Sequence, residues 1–124
     1  MSKVQKNVLG GDLELCSSDP LTGWHRDGCC NTDENDNGLH TVCAKMNNDF
    51  LEWCKSAGND LVTPHPEFGF PGLKNGDNWC ICANWFARAV EAGKECKVYL
   101  KRTNEKTLKI IPLEILKKHA IDLS

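Results

Sequence analysis

The sequence lacks long apolar runs: no stretch approaches the roughly 18 residues that a membrane-spanning helix requires. The first eleven residues also lack the apolar core of a secretory signal. We therefore predict a cytoplasmic protein that has no membrane partner. Because the cytoplasm is reducing, the eight cysteines are expected to bind a metal, carry out redox chemistry or lie buried as free thiols, and structural disulfides are not expected.

Clustered positive charge is also missing from most of the chain. Residues 1–93 carry seven Lys or Arg against thirteen Asp or Glu, while residues 94–118 carry eight against three. Proteins that bind DNA or RNA need a basic patch to displace the counterions of the phosphates. We therefore predict no nucleic-acid partner, and we interpret the lysine-rich segment as a solvated face.

Several familiar motifs are absent as well. The chain has no phosphate-binding glycine loop, no dinucleotide fingerprint and no double Cys-x-x-Cys. Residues 33–38 match the first half of a calcium-binding EF-hand loop. The twelfth position of that loop would be Ala44, where a bidentate Glu is required. This segment is therefore predicted to be a polar surface turn.

The composition that is present is typical of one globular domain, which we predict to span residues 1–124. Hydrophobic residues make up 40% of the chain and charged residues 26%. The patterns predict an α+β fold: about three helices packed on a small antiparallel sheet, with long ordered N-terminal loops over residues 7–38. Helices are predicted over residues 49–57, 78–92 and 112–120, a strand over 40–46, and a hairpin from strands over 96–102 and 107–111.

Residues 59–78 are rich in proline and glycine, which excludes a long helix and predicts a rigid, extended loop. We expect Phe68 and Phe70 in this loop to point inward, and Asp60 to cap a turn through its carboxylate. Residues 62–73 of this loop are a candidate partner-binding surface, with Phe68 and Phe70 as its contact residues.

Seven segments together resemble one family, the domain of unknown function 2237. They are Asn7–Gly10, Asp19–Gly23, Arg26–Cys30, His40–Ala44, Gly58–Leu61, Phe68–Leu73 and Trp79–Ala83. The resemblance implies a small stand-alone protein and carries over no catalytic residue. Cys54 and Cys96 lie outside these motifs. The resemblance therefore directs attention to the other six cysteines, which are Cys16, Cys29, Cys30, Cys43, Cys80 and Cys82.

One hypothesis is a metal site that binds zinc or iron through clustered Cys and His ligands. A structural zinc site takes four such ligands, often as two short pairs. The candidate ligands are the pairs Cys29 with Cys30, His40 with Cys43, and Cys80 with Cys82. If residues 78–92 are helical, the last pair would diverge by about 200° and could not hold one ion together. If the helix instead begins after Cys82, both thiols can converge.

Two other hypotheses remain open beside the metal site. Cys80 in the first turn of a helix would have a stabilised thiolate and could act as a redox thiol with Cys82, Cys29, Cys30 or Cys43. His40 and Cys43 could form a base and nucleophile pair only through a special turn. Alternatively, the cysteines are buried free thiols of a non-enzymatic structural or partner-binding module.

Overall fold

The computed structural model describes residues 5–122, so the first four and last two residues of the predicted domain lie outside it. The strands are β1 (His40–Lys45), β2 (Asn78–Cys82) and β3 (Lys97–Val98). The α-helices are α1 (Asn48–Ser56), α2 (Ala83–Ala92) and α3 (Leu113–Lys118), and 3-10 helices span Pro66–Phe68, Leu100–Arg102 and Glu105–Lys109. This arrangement confirms the predicted α+β fold, with long N-terminal loops before β1.

The three strands form one antiparallel sheet in the order β2-β1-β3. Strand β1 pairs with β2 from His40 opposite Cys82 to Lys45 opposite Asn78, with an irregularity between His40 and Val42. Because side chains alternate along a strand, the sheet has two different faces. Val42, Ala44, Trp79 and Ile81 belong to the apolar core, whereas Cys43 and Cys80 face the opposite side.

Helices α1 and α2 cover the apolar face of the sheet. Phe50 and Phe86 are the largest of their buried side chains, and both are fully buried. The Asn47 side chain caps α1 by accepting a hydrogen bond from the Phe50 N–H at 2.7 Å. Gly93 ends α2 in the left-handed conformation. Helix α1 is confirmed, and α3 follows Pro112 as predicted but ends earlier, at Lys118.

The prediction of one helix over residues 78–92 is wrong for its first five residues, which form β2. Trp79 and Ile81 face the core while Cys80 faces the other side, where it is also buried, and this alternation between two faces is that of a strand. Trp and Ile favour strands, and β1 offers this segment a full hydrogen-bonding partner. Asp77 does not cap a helix but accepts hydrogen bonds from Lys74.

The predicted C-terminal hairpin is also wrong. Val98 and Leu100 are buried as expected, but only two residues pair with β1 before the chain turns into short 3-10 helices. The hydroxyls of Thr103 and Thr107 point inward and bond to β1, at the Cys43 N–H and the Thr41 hydroxyl respectively. These side-chain bonds replace the ladder that a second strand would have made.

Residues 59–78 form the predicted loop, but the inward orientation predicted for Phe68 is wrong. Phe68 ends a 3-10 helix before Gly69 and is 76% exposed, while Phe70 packs edge-on against Trp79 at 5.4 Å. Asp60 caps a turn as predicted. Hydrogen bonds from the Thr63 hydroxyl and from the Val62 and Thr63 N–H groups lower its pKa to about 2. Partner binding by this loop stays a prediction.

In the part of the chain that the structure describes, no helix combines the length and apolar character required to cross a membrane.

Candidate functional site

Four cysteines converge on the face of the sheet that is opposite the apolar core. We call Cys16, Cys30, Cys43 and Cys80 the four-cysteine cluster. Strands β1 and β2 place Cys43 and Cys80 directly opposite each other, while the N-terminal loops supply the other two. All four residues are at most 3% exposed. The sheet therefore presents two neighbouring thiol positions, and the loops bring a partner to each.

The cluster is joined by two disulfides, so the expectation of no structural disulfides is wrong: the sheet and the N-terminal loops bring each pair within bonding distance. Cys16 bonds Cys43 with 5.8 Å between their Cα atoms, and Cys30 bonds Cys80 with 5.4 Å. The two bonds are also close to each other, because the sulfurs of Cys16, Cys30 and Cys80 lie within 4.8 Å of one another. The cluster is thus one compact group of sulfur atoms.

Hydrogen bonds fix the loops that deliver Cys16 and Cys30. The Cys16 N–H donates to the Gly28 carbonyl at 2.8 Å, and the Asn104 side-chain amide donates to the Cys30 carbonyl at 3.1 Å. Gly23 lies between these cysteines with φ of 105°, and a Cβ there would collide with the Cys29 carbonyl. Only glycine tolerates that turn, so the local sequence specifies how the loop reaches the sheet.

Two buried threonines connect the strands to their surroundings at the cluster. The Thr103 hydroxyl accepts a hydrogen bond from the Cys43 N–H at 3.1 Å, and the Thr22 hydroxyl accepts one from the Cys80 N–H at 2.9 Å. Both threonines are fully buried. The backbone of each strand cysteine is therefore held by a side chain from another part of the chain.

The structure brings together three of the six candidate metal ligands, Cys30, Cys43 and Cys80. It adds Cys16, which was not one of the ligand pairs considered from spacing. His40 and Cys82 lie opposite each other at the far end of the β1–β2 ladder, and Cys29 is half-buried and free. Cys16 reaches the cluster through the N-terminal loop, and its bond to Cys43 joins residues 27 positions apart, so short-range spacing could not identify it.

A family model described as an uncharacterized protein conserved in bacteria (DUF2237) matches residues 6–120. The chain belongs to this family. The match confirms the resemblance that the seven sequence segments indicated. A search of curated proteins finds no match for the chain.

The four remaining cysteines of this DUF2237 chain are free thiols, and burial raises the pKa of three of them. The pKa is above its ordinary value at Cys96 and Cys54 because of burial, and at Cys29 because of burial and the nearby Asp27 charge. Cys80 is not the thiolate at a helix start that we predicted, since it lies inside β2 and is bonded to Cys30.

The cluster can exist in two chemical states. In the structure its four sulfurs form two disulfides. After reduction, four thiols would remain in a space from which water is excluded. Four thiolates with no oxygen ligand are the soft set that selects zinc or iron. The chemistry of this DUF2237 site is therefore compatible with redox and with metal binding.

Proposed function

We propose that this protein carries a redox-dependent metal site: the reduced four-cysteine cluster binds one zinc ion, and oxidation converts the cluster into its two disulfides. The observation that supports the proposal is that three sulfurs from three separate parts of the chain lie within 4.8 Å of one another. The fourth, at Cys43, is bonded to one of them. The cluster thus contains the four thiol ligands that a tetrahedral site needs, with Cys43 opposite Cys80 in the sheet.

The burial of the cluster favours a closed structural centre. A catalytic zinc site keeps an open position for water or substrate, whereas a structural site has four protein ligands and no solvent contact. All four cysteines are at most 3% exposed. A tetrahedral site with Zn–S bonds of about 2.3 Å would hold its sulfurs roughly 3.8 Å apart, which the cluster reaches by separating each bonded pair.

The redox step follows ordinary thiol exchange. A low-molecular-weight disulfide accepts two electrons from each pair of zinc-bound cluster thiolates and two protons from solvent, so that one protein S–S bond and two small thiols form. Two such reactions produce Cys16–Cys43 and Cys30–Cys80 and remove all four ligands from the metal. The proposal places the protein in the cytoplasm, where the reduced, metal-bound state would predominate.

The test is metal analysis of the reduced, chelator-treated and folded protein after addition of zinc. We expect one zinc per chain, and we expect the Cys30→Ser, Cys80→Ser double variant to lose it because two of the four ligands are gone. Cys29→Ser is the matched control, since it removes a neighbouring free thiol outside the cluster. Addition of oxidised glutathione should then release the zinc and form the two disulfides.

A folded, reduced protein that binds neither zinc nor iron would overturn the metal half of the proposal. Retention of the metal by the double variant would place the site elsewhere in the chain. If iron binds in preference to zinc, the cluster will absorb visible light, and the same variants will identify its ligands. Zinc that stays bound while both disulfides form would contradict the redox half.

A further inference from the structure

A second group of reactive side chains lies outside the four-cysteine cluster, at the other end of the β1–β2 ladder. We infer that Cys82, His40 and Asp36 form a nucleophilic thiol site for acyl transfer, with a small acyl ester or thioester as its substrate. The argument starts from the register of the sheet. His40 pairs with Cys82 across the ladder, at the irregular step beside Val42.

Asp36 holds His40 in the orientation that a general base requires. Its side chain is fully buried, and one carboxylate oxygen lies 2.7 Å from Nδ1 of His40. The other oxygen accepts hydrogen bonds from the His40 backbone N–H at 2.8 Å and from the Thr32 hydroxyl at 2.9 Å. A carboxylate at Nδ1 fixes the proton there and leaves Nε2 to accept one, as in nucleophile–histidine–aspartate triads.

The imidazole is also fixed by stacking and remains accessible. The Trp24 ring stacks on the His40 ring with their centroids 5.5 Å apart and an interplanar angle of 18°. The His40 side chain is 40% exposed, and Trp24 is 42% exposed. The base is therefore held on two sides, by Asp36 and Trp24, while a substrate can reach it from solvent.

Gly38 lies next to both the Cys82 thiol and the His40 imidazole. The Cys82 thiol donates to the Gly38 carbonyl at 2.8 Å. A Cβ on Gly38 would lie 2.8 Å from the Cys82 sulfur and 3.9 Å from Cε1 of His40, so both groups border this glycine. The proposal requires that rotation about the Cβ–Sγ bond turn the thiol proton from the Gly38 carbonyl toward the imidazole, which borders the same glycine.

The backbone next to Cys82 supplies a place for developing negative charge. Cys82 is the N-cap residue directly before helix α2, and no side chain of the described residues caps this helix. The Ala83 N–H already donates to the Leu39 carbonyl, whereas the following N–H groups of the first turn are left for a carbonyl oxygen that becomes an oxyanion.

The proposed reaction has two balanced steps. The Cys82 sulfur attacks the acyl carbon and gives its proton to His40, the bond to the leaving group breaks with its electron pair, and His40 protonates that group. Water, with His40 as base, then attacks the S-acyl carbon. This releases the carboxylic acid and restores the thiol.

The test uses 4-nitrophenyl acetate and the fully oxidised protein, in which the four-cysteine cluster is closed and holds no metal. We expect one acetyl group on Cys82 by peptide mass spectrometry. His40→Gln should slow acetylation by about 100-fold or more, the usual contribution of a general base. Asp36→Asn should lower kcat with KM unchanged, because Asp36 is a positioning residue that acts through His40. Cys29→Ser should leave the rate unchanged, since Cys29 is a free, half-buried thiol outside the site.

Acetyl groups spread evenly over the free thiols would overturn the inference, and so would an unchanged rate in His40→Gln. His40 is partly exposed, so this variant is expected to fold and decides the question if Asp36→Asn does not. Because the oxidised protein is used, failure here would leave the proposed zinc site unaffected.

Discussion

The two faces of the sheet are stabilised by different kinds of interaction. On one face, α1 and α2 bury an apolar core that includes the fully buried Phe50 and Phe86. On the other, two disulfides and buried threonine hydroxyls attach the N-terminal loops and the segment around Thr103. The difference follows from composition: apart from cysteines, glycines and Pro20, residues 5–39 contribute only Val8 and Leu13 as buried apolar side chains. A segment with so little apolar area needs cross-links or a metal to remain ordered.

The largest expected effect is on the apolar face. Phe50→Ala should lower the free energy of unfolding by about 3–5 kcal/mol, because it leaves a cavity in the core. Urea denaturation of the variant and the parent protein, each oxidised and reduced, measures this loss. The loss should be the same in both redox states if the two faces are independent. A difference of more than about 1 kcal/mol between the states would instead show that the faces are coupled.

The next effect is on the cysteine face and depends on redox state. Cys30→Ala combined with Cys80→Ala should cost the oxidised protein about 4 kcal/mol, as expected for a cross-link between residues 50 positions apart. The same pair of substitutions should cost much less in reduced, metal-free protein, where no cross-link exists. Denaturation under both conditions separates the two contributions. Equal losses would mean that packing, and not the covalent bond, is what the cysteines supply.

The smallest effect is at a hydrogen bond beside the cluster. Thr103→Val should cost about 2 kcal/mol because it leaves the buried Cys43 N–H without its acceptor. Thr103→Ser is the matched control, since it keeps the hydroxyl. Hydrogen exchange at the Cys43 amide should accelerate in the Val variant and remain slow in the Ser variant. If both variants exchange alike, the hydroxyl does not protect this strand.

The sequence was sufficient to predict the α+β fold, β1, α1 and the family. The sequence was misleading where a helical spacing of apolar residues overlaps the alternation of a strand. Residues 79–90 carry apolar side chains at helical spacing, and only the availability of β1 as a partner makes Asn78–Cys82 a strand. At Thr103 and Thr107 the choice between a hairpin and 3-10 helices depends on hydroxyl bonds to β1, which are contacts distant in sequence.

The candidate sites also depend on contacts between residues that are distant in sequence. Cys30, Cys43 and Cys80 could be suspected from their residue type, but the choice of Cys16 over Cys29 as the fourth member depends on the path of the loop around Gly23 and Gly28. His40 was first considered with Cys43, three residues away on the same strand. The ladder is irregular between these two residues, so their spacing along β1 does not decide whether they meet. The neighbour of His40 is Cys82, which only the register of β1 with β2 determines.

The two disulfides interleave along the chain, because Cys30 lies between Cys16 and Cys43, and Cys43 lies between Cys30 and Cys80. Every peptide bond from residue 16 to residue 80 is therefore enclosed by at least one covalent ring. A single proteolytic nick anywhere in that span opens a ring but frees no fragment. The oxidised protein would stay one covalent molecule after such a cut and would come apart only when reduced and unfolded.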